Sequence, residues 1–265
     1  MAKAAVAGLV LAVFCATGPV NAAAVMSGTQ PWPGGVVYYR IDDLLLKRAV
    51  AKAKDCTGWR TWSAAAQAAK ACQAMDAWQT AAGVRFVAQD RLDAVTIVDS
   101  RATTAGTLGH LPVGNRITLE RGATYGSILH EFGHVLGLMH EHQRPDRDSY
   151  LRLEPFLQNY VDHCGLSLSA VCNDVRLAFP KVSVQMSTPY DPCSLMHYLS
   201  NQTPRHREDP RWRRIFTLTQ DGQAALDACI PQFAKLPPRC RKVGQKCAIS
   251  EQDAALVRRF NGVKS

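Results

Sequence analysis

The stretch "HEFGHVLGLMHEHQRPDRD", residues 130–148, places four histidines within thirteen residues. Residues four apart on a helix point from the same face, so His130 and His134 can each place a ring nitrogen about 2.0 to 2.1 Å from one zinc ion. Glu131 is rotated about 100° from His130 around such a helix, which keeps its carboxylate off the metal but close to a water that the metal activates. The spacing therefore predicts a hydrolytic zinc site with a base beside it.

A third ligand is predicted by the glycine that follows. Gly137, three residues after His134, can adopt a positive φ and end the helix, so that His140 turns back toward the metal. Catalytic zinc keeps three protein ligands and one open position. The string H-E-x-x-H-x-x-G-x-x-H has five fixed positions, and chance produces it in on the order of one chain in 10⁵. Two core histidines with two loop histidines are the alternative, and they explain the string poorly.

A second motif lies downstream, where "SLMHY" occupies residues 194–198. The histidine string is the metzincin signature, which predicts a methionine turn beneath the metal, and Met196 supplies the methionine. The two segments together closely resemble the astacin family of secreted zinc endopeptidases. The resemblance is strong over residues 124–150 and 190–198, and weak over residues 23–41 and in the last helix.

The resemblance implies a role for each residue of the two motifs. One zinc ion per chain would be bound by His130, His134 and His140. Glu131 would be the general base, and Met196 would form the floor under the histidines. Tyr198 would ligate zinc at rest and swing away to stabilise the oxyanion when substrate binds. In the tail of the first motif, Arg144, Asp146 and Arg147 are expected to brace the loop that presents His140.

The resemblance also implies a buried Glu141 that pairs with the amino terminus of the mature chain. Residues 1–22 carry one lysine, an apolar run and small residues at their end, which predicts a removable secretory signal. The apolar run is too short to span a bilayer, which argues against a retained anchor. Cleavage after Ala22 would begin the mature chain at Ala23, with no propeptide. The alternative is that Glu141 is a surface carboxylate and that activation is controlled elsewhere.

Removal of residues 1–22 would leave eight cysteines, an even number that indicates disulfides in an exported chain. The sequence leaves their connectivity open. One arrangement joins near neighbours and leaves one distant pair: Cys56–Cys72, Cys164–Cys172, Cys240–Cys247 and Cys193–Cys229. A cysteine zinc knuckle is disfavoured because no C-x-x-C is present. Gly122 stands where many astacins have a cysteine, so at least one familiar disulfide is expected to be absent.

The formal net charge is +9, and part of it lies in "RHREDPRWRR", residues 205–214. A basic face can attract acidic substrates, anionic surface polymers or nucleic acid. Solvated loops are the plainer interpretation. Trp212 is the single aromatic residue within the segment, so no nucleic-acid motif accompanies the charge and no specific nucleic-acid partner is expected.

Local patterns predict the order of the secondary structure. Strands are expected where β-branched and aromatic residues cluster, at residues 36–41, 84–89, 94–99 and 115–120, with an irregular edge strand within 100–114. Helices are expected over residues 64–82, with Thr61 or Ser63 as N-cap and Gly83 as C-cap, and over the zinc-binding stretch 124–136. Residues 140–215 are expected to be loops held by disulfides. Two late helices are expected after Thr217 or Thr219 and after Ser250.

These patterns and the resemblance predict an α+β metzincin zinc-protease fold. Its N-terminal twisted mixed sheet would pack on two long helices, one of them the zinc-binding helix, and its C-terminal subdomain would be largely irregular with a terminal helix and disulfides. The catalytic domain would span residues 23–265, with an upper subdomain of about 23–137 and a lower one of about 138–265.

The predicted function is that of a secreted zinc metalloendopeptidase, extracellular or periplasmic. It would act as a monomer on a protein or peptide substrate, without membrane contact once the signal is removed. A catalytically inactive astacin-fold binding protein is one alternative, but a purely structural zinc site has no need of the base Glu131. A basic exported hydrolase acting on cell-wall polymer is the other, and it would show salt-sensitive binding without protease activity.

Overall fold

A computed structural model describes residues 24–49, 54–63, 66–165, 167, 169–200 and 210–264. The predicted signal at residues 1–22, the proposed first residue Ala23 and the part of the basic segment at residues 205–209 lie outside the described residues. None of the helices in these described ranges has the length and apolar character needed to cross a bilayer.

Nine short strands occur in the described residues. The strands are β1 (Ala24–Met26), β2 (Val36–Ile41), β3 (Arg85–Ala88), β4 (Val95–Ser100), β5 (Ala105–Gly106), β6 (Arg116–Glu120), β7 (Leu151–Leu153), β8 (Val184–Ser187) and β9 (Phe216–Leu218). Strands β2 to β6 lie where the sequence predicted strands, whereas β1, β7, β8 and β9 were not predicted. The α-helices are α1 (Asp43–Ala49), α2 (Gln67–Ala82), α3 (Tyr125–Val135), α4 (Pro155–His163), α5 (Ala170–Ala178), α6 (Gln220–Cys229) and α7 (Glu251–Phe260).

Five strands form a mixed sheet in the order β3-β2-β4-β6-β5. The first four are parallel, and β5 is antiparallel to β6 at the edge. Alternate residues of β2 are buried, with Val37, Tyr39 and Ile41 facing the core. Because side chains alternate along a strand, the helices can cover this one face of the sheet. The fold class is therefore α+β, as the sequence predicted.

The helices α2 and α3 pack together on the buried face of this sheet. The indole N–H of Trp78 on α2 donates to the carbonyl of Leu129 on α3 at 3.0 Å. Gly83 ends α2 with a φ of 71°, as predicted. The expected N-caps Thr61 and Ser63 are wrong, because residues 59–61 form a separate 3-10 turn and α2 begins after Ala66.

The second half of the chain builds a smaller core of its own. Its buried aromatic and aliphatic side chains include Leu157, Val175, Tyr190, Trp212 and Phe216. The strands β7 and β9 pair there, and α4 and α5 lie in the segment that the sequence assigned to loops. That assignment is wrong for these two helices. Each buries only one or two side chains, but signals that begin a helix are present, with Pro155 in the first turn of α4 and Ser169 as the N-cap of α5.

Four disulfides join the eight cysteines of the described residues. They follow the arrangement of near neighbours with one distant pair: Cys56–Cys72, Cys164–Cys172, Cys240–Cys247 and Cys193–Cys229. The distant bond links the segment beside the methionine turn to the end of α6. Such cross-links limit the conformations of the unfolded chain and so stabilise a core of modest size.

The helix α3 ends in a Schellman turn at Gly137. The N–H of Gly137 donates to the carbonyl of His134 at 2.8 Å, and the N–H of Leu138 donates to that of Gly133 at 2.9 Å. Gly137 has a φ of 100°, and a Cβ at this position would lie 2.4 Å from Cε1 of Phe260. A glycine is required here both by backbone conformation and by the close approach of α7.

We expect Gly137→Ala to lower the free energy of unfolding by about 2 to 4 kcal/mol, since it adds left-handed strain and an overlap with Phe260. Gly114→Ala is the matched control, because Gly114 has a φ of 83° but open space around its Cβ position. The control should lose only about 1 kcal/mol. Urea unfolding of the disulfide-intact proteins measures both values. Equal losses in the two variants would contradict the role of the Phe260 contact.

Candidate active site

Three histidine rings converge at the end of α3. The Nε2 atom of His140 lies 3.2 Å from that of His130 and 3.2 Å from that of His134. A tetrahedral zinc ion with bonds of about 2.0 to 2.1 Å separates its ligand nitrogens by about 3.3 Å. The separations therefore fit a zinc ion bound by the three Nε2 atoms. These are the three histidines that the sequence singled out as ligands.

Each histidine is oriented by a contact at its other ring nitrogen. The Nδ1 atoms of His130 and His134 lie 2.8 Å from the carbonyl oxygens of Leu195 and Leu138. The Nδ1 atom of His140 lies 3.0 Å from Oε1 of Gln143. Oxygen acceptors place the ring hydrogens of His134 and His140 on Nδ1, which leaves their Nε2 atoms free to ligate a metal, whereas Nδ1 of His130 also has the Lys246 Nζ atom at 2.6 Å.

Burial keeps the three rings in the uncharged state that metal binding requires. Desolvation lowers the pKa of His134 to about 4 and holds the pKa values of His130 and His140 well below 6.5. Neutral imidazole is the form that ligates zinc. Protons therefore compete weakly for this site at neutral pH.

Glu131 lies beside the histidines in an open cleft of about 720 Å³. Its Oε2 atom accepts a hydrogen bond of 2.8 Å from the backbone N–H of Gly106 on the edge strand β5. A Cβ at Gly106 would lie 2.6 Å from the carbonyl oxygen of Glu131, so only glycine permits this approach. Burial raises the pKa of Glu131 to about 7, and the Gly106 hydrogen bond opposes the shift. A carboxylate with such a pKa is suited to accept a proton near neutral pH.

The methionine turn is anchored by the last helix. Asp253, buried at the start of α7, accepts hydrogen bonds from the Ser194 hydroxyl at 2.7 Å and from the Leu195 N–H at 2.8 Å. Leu195 in turn offers its carbonyl to His130. The next residue, Met196, is fully enclosed, and its Sδ atom lies 2.5 Å from where a Cβ of Gly133 would be. The turn thus packs directly against the zinc-binding helix.

Tyr198 lines the same cleft and lies among aromatic rings. Its ring centroid is 4.0 Å from that of His142 and 4.8 Å from that of His140. Burial raises the pKa of Tyr198 above 10.0, so its hydroxyl stays protonated and able to donate at neutral pH. Nε2 of His142 donates to the carbonyl of Ala178 at 2.8 Å, and His142 does not join the three converging nitrogens.

Glu141 is completely buried behind the histidines. Its Oε1 atom accepts from the N–H of Asp191 at 2.9 Å and from Arg144 at 3.3 Å, whereas Oε2 has no partner among the described residues. Burial raises its pKa to about 8, although Arg144 opposes the shift. Ala24 is also fully buried, and its carbonyl accepts from the N–H of Met139 at 3.0 Å. The first described residue, Ala24, is therefore hydrogen-bonded to Met139, which is two residues before Glu141 in the sequence.

The "RPDRD" tail makes internal contacts around this loop. Arg144 pairs with Asp146 at 2.6 Å as well as with Glu141. Arg147 donates to the carbonyl of His142 at 3.0 Å. Both guanidinium groups are nearly inaccessible to solvent, so they tie the loop that carries His140 to its surroundings.

Three residues that shape the site were not predicted from the sequence. Gly106 and Gln143 hold functional side chains, and Lys246 lines the cleft with its Nζ atom 2.6 Å from Nδ1 of His130 and 2.9 Å from the Leu195 carbonyl. Burial lowers the pKa of Lys246 to about 7. Lys246 is 116 residues from His130 in sequence, so no local spacing could reveal the contact.

The helix α3 presents two of the three converging histidines, a methionine turn packs beneath it, and a mixed sheet lies above it. This arrangement defines a metzincin-type zinc-peptidase fold. The sequence profile of Astacin (Peptidase family M12A) matches residues 59–220, more than half of the chain. The chain belongs to the astacin family.

Individual relatives agree with this assignment. The chain is 32% identical to high choriolytic enzyme 2 of Oryzias latipes over 128 residues, 47% of this chain and 41% of that protein. It is 30% identical to the astacin-like metalloendopeptidase of Gallus gallus over 192 residues, 71% of this chain and 39% of that protein. These matches span about two fifths of the relatives' length.

Solved structures share the fold. The hatching enzyme zinc-protease HCE-1 of Oryzias latipes superposes with a TM-score of 0.59 at 21% identity, covering 89% of this chain and 94% of that one. Myroilysin superposes with a TM-score of 0.51 at 18% identity, covering 91% of this chain and 100% of that one.

We expect Gln143→Leu to weaken zinc binding by about 10- to 100-fold, because His140 loses the acceptor that orients its ring. Gln143 contacts His140 through its side chain, so this orienting partner can be removed by substitution. Gln158→Leu on the exposed side of α4 is the control and should bind zinc as the wild type does. Competition with a chelator of known affinity measures the dissociation constants. Equal affinity in Gln143→Leu and the wild type would contradict the orienting role.

Proposed function

We propose that this chain is a secreted zinc-dependent endopeptidase that hydrolyses peptide bonds in a protein or peptide substrate. One observation carries the proposal: the Glu131 carboxylate lies in an open cleft beside three histidine Nε2 atoms that fit one zinc ion. Family membership supports it independently. A structural zinc site would be closed by a fourth ligand and would not hold a carboxylate next to the metal position.

In the proposed reaction, His130, His134 and His140 would hold the metal, and Tyr198 would be a displaceable further ligand at rest. Bound zinc would polarise the scissile carbonyl and lower the pKa of water to about 7. Glu131 accepts a proton from the attacking water and passes it to the leaving amine. The hydrogen bond from Gly106 keeps the Glu131 carboxylate directed into the cleft during both transfers.

Tyr198 is assigned to the oxyanion. Because burial keeps its hydroxyl protonated, it can donate a hydrogen bond to the oxygen on which charge develops. Met196 supports the histidines from below, and Gly137 supplies the turn that brings His140 to the other two ligands. The reaction needs no covalent intermediate with the protein.

The disulfides, the site residues and the hydrophobic cores support proposals about the location, oligomeric state and subdomains of the protein. We assign the chain to an extracellular or periplasmic location, because four disulfides are typical of oxidising compartments. A single chain contains the whole set of site residues, which supports a monomer with one zinc ion. We propose an upper subdomain of about residues 23–137 and a lower one of about 138–265, with the cleft between them. The separate core in the second half supports this division, although the first core also includes Leu195, Met196 and α7.

We expect Glu131→Gln to lose about 10² to 10⁴ of the rate of casein or gelatin cleavage, because the amide cannot accept the water proton. Zinc content should be unchanged, since the amide oxygen can still accept from Gly106. A chelator should abolish wild-type cleavage. Glu120→Gln is the matched control, because Glu120 also lines the cleft and should be dispensable.

Two outcomes would contradict this assignment. Full activity in Glu131→Gln would remove Glu131 as the base. A zinc-loaded wild-type protein that binds but does not cleave casein, gelatin or peptide libraries would favour an inactive binding protein.

We further propose that signal removal itself produces the active amino terminus, and that the amine of Ala23 pairs with Glu141. Its buried Oε2 atom without a described partner and the enclosed position of Ala24 support this pairing. Opposite charges buried together are strongly coupled, because loss of one partner leaves the other charge unpaired.

We expect the secreted protein to begin at Ala23 and a form with one added residue before Ala23 to lose about 3 kcal/mol of unfolding free energy. The added residue should have little effect in a Glu141→Gln background, because the pairing is already lost there. Amino-terminal sequencing and urea unfolding provide the measurements. A mature chain that begins well after Ala23 would rule out the proposal.

A further inference from the structure

We propose that Tyr190 is a positioning residue for Tyr198 and acts on it through His197. The inference rests on the proposed function, because it concerns how Tyr198 is held for that reaction. Tyr190 touches neither the histidine cluster nor the cleft lining, so it would not be identified as part of the site by proximity.

The two contacts of the His197 side chain form a buried connection. The Tyr190 hydroxyl lies 2.8 Å from Nε2 of His197, and Nδ1 of His197 lies 2.7 Å from the carbonyl oxygen of Tyr198. A carbonyl only accepts, so the ring hydrogen is on Nδ1 and is donated to Tyr198. In the uncharged ring Nε2 is then an acceptor, and the Tyr190 hydroxyl donates to it. The hydroxyl thereby selects the tautomer that holds the Tyr198 main chain.

Tyr190 is itself held rigidly on both sides. Its ring is stacked on that of Tyr150, with centroids 4.3 Å apart and planes 3° from parallel. The guanidinium carbon of Arg144 lies 5.3 Å from the Tyr190 ring centroid. Arg144 also pairs with Glu141. The direction of the Tyr190 hydroxyl is thus set by the loop that follows the third histidine.

The Tyr198 main chain depends on such contacts because it lies outside the helices and strands. Ring contacts with His142 and Phe179 limit where the Tyr198 side chain can go, but they do not fix the carbonyl. A catalytic hydroxyl must be placed to within about 0.5 Å, and a displacement of about 1 Å can cost on the order of 10²-fold in rate. A hydrogen bond at the Tyr198 carbonyl is therefore a direct means of aiming its hydroxyl.

The test replaces only the hydroxyl. In Tyr190→Phe, the stacking on Tyr150 and the contact with Arg144 remain, but Nε2 of His197 loses its donor. We expect kcat for a peptide substrate to fall on the order of tenfold, with KM and zinc content unchanged. Tyr150→Phe is the matched control, since its ring stacks on Tyr190, while among the described residues the ring nitrogens of His197 bond to Tyr190 and Tyr198 and not to the Tyr150 hydroxyl. Its kcat should equal that of the wild type.

A double-mutant cycle separates positioning from general stability. In a Tyr198→Phe background the further change Tyr190→Phe should have no effect on kcat, because the hydroxyl that it aims is already absent. A merely structural role would instead lower kcat by the same factor in both backgrounds and would shift urea unfolding to match.

Copper substitution provides a readout that does not depend on activity. A phenolate bound to Cu²⁺ gives a charge-transfer absorption, so the copper-loaded protein should show a band that Tyr198→Phe abolishes. We expect Tyr190→Phe to weaken or shift this band and Tyr150→Phe to leave it unchanged.

Wild-type kcat and an unaltered copper band in Tyr190→Phe would overturn the proposal. An equal loss of kcat with and without the Tyr198 hydroxyl would overturn it as well. If the wild-type protein cleaves no peptide at all, the proposed function fails, and the copper band still decides whether Tyr190 controls the position of Tyr198.

Discussion

The left-handed turn at Gly137 is the constraint on which the rest of the site depends. Because it ends α3 directly after His134, this turn presents the Leu138 carbonyl to the Nδ1 atom of His134 and turns the chain back so that His140 meets the other two rings. The same turn leaves room for Phe260 of α7 to lie against the backbone. A side chain at this position would disturb the metal ligands and the packing of the last helix together.

A second set of contacts reaches the site from distant parts of the chain. Asp253 on α7 holds the methionine turn, and the Leu195 carbonyl of that turn orients His130. Burial raises the pKa of Asp253 above 3.8, because the carboxylate loses its hydration. The hydrogen bonds that it accepts offset part of this desolvation cost. The helix α3, the methionine turn and α7 are therefore joined by direct contacts, so a change in any of them would shift the three converging histidines.

Much of the architecture could be predicted from the sequence because its signals are local. The strands at residues 36–41, 94–99 and 115–120 show clear alternation or β-branched clusters, and the capping box at Ser250 marks the start of α7. The helices α4 and α5 were not predicted, because the high content of Pro, Arg, Asp and Cys in residues 140–215 indicated loops, although Pro155 and Ser169 are residues typical of helix starts. The predicted N-cap of α2 was wrong because Thr61 lies in a neighbouring 3-10 turn and Ser63 is three residues before the actual N-cap, Ala66.

For the site, the sequence by itself determined the candidate metal ligands, the carboxylate next to them and the position where the chain must turn. It could do so because helical periodicity and the conformational freedom of glycine act over a few residues. Only the tertiary structure decided what surrounds them. Gly106, Gln143, Lys246 and the Tyr190–His197 connection owe their roles to side chains and carbonyls brought together from separate elements. Hydrogen bonding acts over about 3 Å in space, whatever the distance along the chain, so the partners of a catalytic group follow from packing and not from spacing in the sequence.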